Sequence, residues 1–284
     1  MNNKILTLDI SNMIMRCLFA QTPGPEEKEF MLFKATFFSS FFKAISEINP
    51  NRVFCCIDGS SWRKDIFEGY KASRAAKRSA SIVNFDAFFA VWSDLLERLK
   101  VAFEGTNIYF VDVPKTEADD QISVIVKSHP EWECYNVSSD RDFMQLFVCA
   151  NYHQYDGIKK QYLSTLNPET DLLVKIITGD KSDDIPGIKK GVGIKTAEKI
   201  VNSGELDKWL EENQLTEKFM LNSKLISFEN IPTEYTEAIK RVVNSFEYVP
   251  EPRAKKFNEF AMNSGISLLM VNLIEYTNII KNIK

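Results

Sequence analysis

The sequence predicts an α/β protein with a largely parallel central sheet flanked by helices, followed by a helical C-terminal part. Three observations predict it. Short β-rich apolar runs end in acidic residues at Asp9, Asp58 and Asp112, and a fourth runs into Asp140. Long helical patterns lie between them, and from Asn167 onward no strand pattern of comparable strength recurs. Strands alternating with helices indicate a parallel sheet. In such sheets ligands gather beyond the carboxyl ends of the strands, which is where these acids fall.

The first strand, Ile5 to Asp9, reaches its acid too early for the apolar core of a signal peptide, so a soluble intracellular, cytoplasmic protein is expected. Phe30, Phe33, Phe37, Phe41, Ile45 and Ile48 mark one face of a long helix, and Lys34, Lys43 and Glu47 interrupt it too often for a membrane span. Arg52 to Asp58, Asn107 to Asp112 and Glu133 to Ser138 read as further strands, and Thr116 to Lys127 as a helix. Asp156-Gly157, between the strand-like flanks of Tyr152 to Leu163, signals a hairpin. Asn167 then reads as an N-cap, Pro168 as a first-turn proline and Gly179 as a helix stop. This places a domain change near 165–175, between an α/β unit over 1–170 and a helical unit over 171–284 packed on it.

Composition narrows the chemistry. The 284 residues are 44% hydrophobic and 26% charged, a globular average that excludes a disordered or fibrous chain. The net charge of −4 means that a nucleic-acid partner would have to be held by a local basic patch. The cysteines at 17, 55, 56, 134 and 149 lack any C-x-x-C pair and read as reduced core residues. With His129 and His153 as the only histidines, His-rich metal sites and Ser-His-Asp hydrolysis are excluded, and carboxylates must carry the chemistry.

Those carboxylates are Asp9, Asp58, then Glu117, Asp119 and Asp120 in TEADDQI, Asp140 and Asp142 in SSDRDF, and Asp180, Asp183 and Asp184 in GDKSDD. Each has a structural alternative. Asp9 and Asp58 suit strand-end turns, Thr116 to Asp119 suits a capping box, and the SSDRD acids suit a helix start. If they converge, however, neighbours about 4 Å apart repel by roughly 4 kcal/mol per pair at an effective dielectric near 20. Cations relieve that repulsion, and hard oxygen ligands suit Mg²⁺ or Mn²⁺. Two such ions can clamp the attacking and leaving oxygens of a phosphodiester.

Immediately after Asp58, the segment SSWRKDIFEGYKASRAAKR carries Arg63, Lys64, Lys71, Arg74, Lys77 and Arg78 against Asp65 and Glu68. It reads either as a solvated helix face or, beside an anionic site, as a phosphate-steering surface. Tyr70 and Trp62 could stack on bases, with core packing the alternative for Trp62. Further on, Gly187, Gly191 and Gly193 precede a helix with Lys195 and Lys199, a spacing that suits a helix-hairpin-helix style grip on duplex phosphates.

Together these motifs resemble the structure-specific 5′ nuclease family, the flap endonucleases and 5′ to 3′ exonucleases. LDISN, CIDG, GYKASR, EADD, SSDRDFMQL and GDKSDDIPGIKKGVGIKTA occur in family order over most of residues 5–200. The later FENIP and its following helix look closest to the phage ribonuclease H branch, which removes primers. The resemblance implies a PIN-like nuclease domain with a helical arch at about 64–100, and a duplex grip at about 180–203. It implies a first metal on Asp58, Glu117 and Asp119 with Asp9, and a second on Asp119, Asp140, Asp142 and Asp180, with Asp120 and Asp183 as outer support. It makes Lys71 and Arg74 contacts of the scissile phosphate, and Arg63, Lys64, Tyr70, Lys77, Arg78, Gly191, Gly193, Lys195 and Lys199 contacts of nucleic acid. The partners implied are DNA and RNA–DNA duplexes with 5′ flaps or nicks, with a single-strand-binding protein or sliding clamp as protein partners of a monomer, and no membrane. Family hairpins read G-x-K-G-x-G-x-K and often hold K⁺ on backbone carbonyls; Lys189-Lys190 here add one residue. Two other readings are a catalytically silent binding homologue and a haloacid-dehalogenase-type phosphatase. The latter needs a second Asp two residues past its nucleophile, where this chain has Ser11.

Overall fold

In the computed structural model, residues 3–20 and 30–284 are described. The chain runs β1 (Asn3–Asp9), α1 (Ile10–Phe19), α2 (Met31–Ile48), β2 (Arg52–Cys56), α3 (Arg63–Ile66), α4 (Ser73–Ser79), α5 (Phe85–Ala102), β3 (Ile108–Val111), α6 (Ala118–Ser128) and β4 (Trp132–Val137). A 3₁₀ helix (Asp142–Val148) leads to β5 (Tyr152–Asp156) and β6 (Gln161–Leu163). Then come α7 (Pro168–Thr178), α8 (Ile194–Asn202), α9 (Leu206–Glu212), α10 (Thr216–Ile226), α11 (Thr233–Asn244), α12 (Lys255–Asn263), α13 (Ser267–Val271) and α14 (Leu273–Asn282).

The sheet order is β3-β2-β1-β4-β5-β6, parallel throughout except for the antiparallel edge strand β6. After β3 the chain crosses to the other side of β1, so β1 and β4 flank the switch point where ligands bind in such sheets. Strand residues alternate between two buried faces. Leu6, Leu8, Val53 and Cys55 face α1, α2 and α5, whereas Ile5, Phe54, Cys56 and Cys134 face α6 and α11. The phenylalanine face of α2 is sealed: Phe33, Phe37, Phe38, Phe41 and Phe42 are at most 2% exposed, each contributing roughly 1.5–3 kcal/mol of burial. All five cysteines are free, as expected. Among the described residues no helix is long and apolar enough to cross a membrane.

Three expectations are corrected here. The helices after residue 228 are not a separate unit: Phe257, Leu269, Tyr276 and Ile280 join the core of the first sheet face, with Tyr276 stacked on Phe42 at 3.9 Å, while α11 covers the second face. The segment that stands apart is smaller, around Val174, Ile177, Ile188, Ala197, Leu210 and Leu215. An arch over 64–100 is likewise too long, because α5 buries Phe88, Trp92, Leu95 and Leu99 in the main core. Only α4 and its flanks lie free of it, and α4 buries no residue. The hairpin turn is wider than Asp156-Gly157 suggests. Asp156 Oδ1 accepts the amides of Ile158 and Lys159, and the left-handed residue is Lys160, at φ 53°.

Candidate active site

The strand ends deliver the acids. Asp9 ends β1 and caps α1, its Oδ1 accepting the Asn12 amide at 2.8 Å. Asp58 follows β2; its Oδ1 accepts the Ala118 amide at 2.7 Å and its own amide donates to Ser11 Oγ at 3.0 Å. The strand-end turn reading of these two is therefore also true, and it is what aims them. Asp119 projects from the first turn of α6, and Asp140 follows β4. Asp9, Asp58, Asp119 and Asp140 all line one groove of about 1120 Å³. Burial, then Asp58, pushes the Asp9 carboxyl up to about 8, and burial with Asp9 and Asp140 raises Asp119 well above the usual carboxylate range.

A second group lies beside the first. Asp142, at the start of the 3₁₀ helix, meets Asp180 and Asp183 from the loop after α7, and one oxygen of each lies within 4.8 Å of the others. Gly179 makes that loop possible: at φ 75° its missing Cβ would sit 2.4 Å from the Ile185 carbonyl, beneath the Asp180–Ile185 bridge. The donors are hard carboxylate oxygens, close enough for small shifts to bring all three to an ion at about 2.1 Å. The set therefore fits a divalent cation. Glu117 and Asp119 line the small cavity beside this group as well as the groove, so the two groups adjoin.

Lys175 was missed by sequence reasoning. Its ammonium contacts Asp142, and Asp180 at 2.7 Å. Burial disfavours the charge, but Asp142 and Asp180 outweigh it and raise the Lys175 pKa; Asp180 in turn is held low, against its burial, by Lys175 and Ser182. The available signal was a lone cation in the run DLLVKII, five residues before Asp180.

The basic segment divides into buried and open parts. Arg63, expected on nucleic acid, is 3% exposed. Its guanidinium holds Glu117 at 3.0 Å and Asp120 at 2.8 Å, while Nε donates to the Leu225 carbonyl at 2.7 Å. Tyr70, expected to stack on bases, is also buried, with its hydroxyl 2.8 Å from Glu117 Oε2 and 3.1 Å from Asp183 Oδ2. Asp120 does not line the groove: it is fully buried, accepting from Arg63, Trp62 Nε1 and the Glu117 amide. The capping box here is Glu117 with Asp120, one residue later than Thr116 with Asp119. Glu117 lines the groove and the small cavity beside it, with Ser61, Arg63 and Tyr70 on Oε2 and Lys71 on Oε1. Burial would raise Glu117, but Lys71 and Arg63 overrule it and pull it down to about 2.

Lys71, Arg74, Lys77 and Arg78 line the same groove as the acids and form its basic wall; Lys64 is exposed on α3 and does not line it. Arg74 meets Asp183 at 2.8 Å. Beyond the loop, Gly191 takes φ 84° and Gly193 caps α8, whose Lys195 and Lys199 are exposed one turn apart. The extra Lys189 is tied back to Asn213 and lies over the Trp209 ring at 5.7 Å.

The depth of Arg63 yields a prediction. Arg63→Met leaves Glu117 and Asp120 buried without their cation, which is expected to cost about 3–5 kcal/mol, or roughly 10 °C in melting temperature at this size. The salt dependence of DNA binding should stay as it is. Thermal melts and salt titrations check both, and an unchanged melt with a flatter salt slope would return Arg63 to the surface.

Carboxylates beyond the strand ends of a largely parallel α/β sheet, sharing one groove with a basic wall, define a phosphodiester-cleaving class of protein. Residues 4–170 match the family described as 5′–3′ exonuclease, N-terminal resolvase-like domain, which is more than half of the chain. The chain belongs to that family of nucleases. Ribonuclease H of enterobacteria phage T4 is 26% identical, over 96% of this chain and 95% of its own. The 5′–3′ exonuclease of Bacillus subtilis is 28% identical over 76% of each, and the flap endonuclease Xni of Pseudoalteromonas translucida is 28% identical over 80% of this chain and 93% of its own. Among solved structures, the bacteriophage T5 flap endonuclease with DNA and metal ions superposes with a TM-score of 0.64 at 18% identity, covering 85% of this chain and all of that one, a likeness of fold.

Proposed function

We propose that the chain is a Mg²⁺-dependent 5′ to 3′ exonuclease and flap endonuclease that acts on branched, nicked and primer-bearing duplexes, RNA primers included, in the cytoplasm. The observation that carries this reading is the pairing of two adjoining carboxylate groups with a basic wall across one groove. Asp9, Asp58, Asp119 and Asp140 would hold one ion, and Asp142, Asp180 and Asp183 the other; Mn²⁺ would substitute. Bound there, the ions supply Lewis-acid polarisation of a phosphodiester and neutralise its developing charge.

The chain's own residues do the rest. Lys77 and Arg78, exposed at the groove, draw the 5′ strand over acids that would otherwise repel it. Lys71 brings its ammonium to the scissile phosphate, and Arg74 leaves Asp183 to do the same. The exposed α8 start with Lys195 and Lys199 grips duplex phosphates away from the cut. Such contacts carry no base information, so the enzyme recognises structure rather than sequence.

Digestion of a 5′-labelled flap duplex tests the reading. Cleavage is expected with Mg²⁺ or Mn²⁺ and none in EDTA, with intact circles resistant. Full activity in chelator, or binding without cutting in Mg²⁺, would overturn it.

A further inference from the structure

Beneath the loop that carries Asp140 and Asp142 lies a buried relay of uncharged side chains. Gln154 on β5 pairs in register with Asn136 on β4, and both are fully buried, with Tyr152 3% exposed beside them. Asn136 Nδ2 donates to Tyr152 Oη at 3.2 Å, and Tyr152 Oη donates to Gln154 Oε1 at 3.4 Å. Gln154 Nε2 then donates both of its hydrogens to the loop, to the carbonyls of Ser138 at 3.0 Å and Asp140 at 2.6 Å.

The direction of this chain matters. A tyrosine hydroxyl has one proton, and with Asn136 donating to its oxygen that proton points to Gln154 Oε1. The Gln154 amide is thereby oriented with its donors toward the loop; turned over, it would set its oxygen against two carbonyl oxygens. From the held backbone the loop closes on itself, the Asp140 amide donating to Ser138 Oγ at 3.1 Å and the Asp142 amide to Asp140 Oδ1 at 2.9 Å. One carboxamide thus fixes the backbone from which both acidic side chains project, one into the groove and one into the Asp142–Asp180–Asp183 group.

We infer that Gln154 is a positioning residue for divalent metal, acting through the Ser138 and Asp140 carbonyls to aim Asp140 and Asp142, with Tyr152 and Asn136 setting its orientation. Groups that orient ligands from behind change metal affinity or activity by about 10–100-fold when removed. The inference rests on the metal-dependent reading above.

The test uses the full chain. Gln154→Met keeps the volume and removes both donors. Two Mg²⁺ midpoints are measured, one for single-turnover cleavage and one for the metal-induced rise in melting temperature, which needs no activity. Both are expected to move up about 10–100-fold, with cleavage recovering at high Mg²⁺ and flap-duplex affinity in EDTA unchanged. Should Gln154→Met fail to fold, Tyr152→Phe keeps the amide, loses its orienting bond, and is expected to raise both midpoints about fivefold. A lower melting temperature with both midpoints unmoved, in whichever variant folds, would make the relay purely structural and overturn the inference. Wild-type protein without Mg²⁺-dependent cleavage would instead sink the nuclease reading.

Discussion

Lys71→Met is expected to lower the single-turnover rate of flap cleavage at least about 100-fold, the scale for removing one charge-stabilising group, while duplex affinity changes little. Lys71 is held in the uncommon left-handed region at φ 55°, and its amide donates to the Asp183 carbonyl at 2.9 Å. Its ammonium contacts Glu117, lies 3.5 Å from Asp183 and sits over the Tyr70 ring at 4.8 Å. Burial works against the charge, but Glu117 and Asp183 outweigh it and hold the pKa above the ordinary lysine value. The residue is therefore a fixed cation at the boundary of both acidic groups, with a strained backbone maintained by its neighbours. Flexible phosphate contacts farther along the wall, such as the exposed Lys77, should affect binding and salt dependence rather than the chemical step. If Lys71→Met weakens binding alone and leaves single-turnover cleavage unchanged, the ammonium is a steering charge and not part of the chemistry.

The strands β1, β2 and β3 were legible because each is a largely apolar run that leads into an acid, as strands buried on both faces of a parallel sheet commonly are. The same property exposed Asp9, Asp58 and Asp140, which lie at ends that topology sends to one edge. Arg63 was not legible, because its partners Glu117 and Asp120 are 54 and 57 residues away. Locally it is one basic residue among six, and only the fold tells a buried ion pair from a solvated face. The spacing of Glu117 and Asp120 on one helix side was visible, but the guanidinium that binds both of them there was not. The docking of α12 to α14 was hidden differently. An amphipathic pattern reports that a helix has an apolar face, and nothing in the pattern around Phe257 or Tyr276 says that the face meets Phe42 rather than a second domain.

Magnesium is expected to raise the melting temperature more at pH 8 than at pH 6. Burial and then Asp58 push the Asp9 carboxyl up to about 8, and Asp119 is raised as well, so between the ordinary carboxylate range and pH 8 the folded chain binds more protons than the unfolded one. Linkage then makes the metal-free protein lose stability as pH rises through that window. Glu117 and Asp180 are shifted the other way, but their contribution is lost only as pH falls into the acid range, and they are ionised throughout pH 6–8. A divalent cation binds the ionised carboxylates, so at pH 6 it must displace protons that are already gone from part of the population at pH 8. At one hundred times its dissociation constant, a ligand of the folded state adds about 2.7 kcal/mol, or roughly 5–10 °C for a protein of this size. That full rise belongs to pH 8, with a clearly smaller one at pH 6 for the same Mg²⁺ concentration and net proton release on binding at the lower pH. Melts in EDTA and in Mg²⁺ at both values, with calorimetry in two buffers of different ionisation enthalpy, measure all of this. An equal Mg²⁺ effect at the two values, or a metal-free protein that grows more stable from pH 6 to pH 8, would show that Asp9 and Asp119 are not the groups that hold the proton.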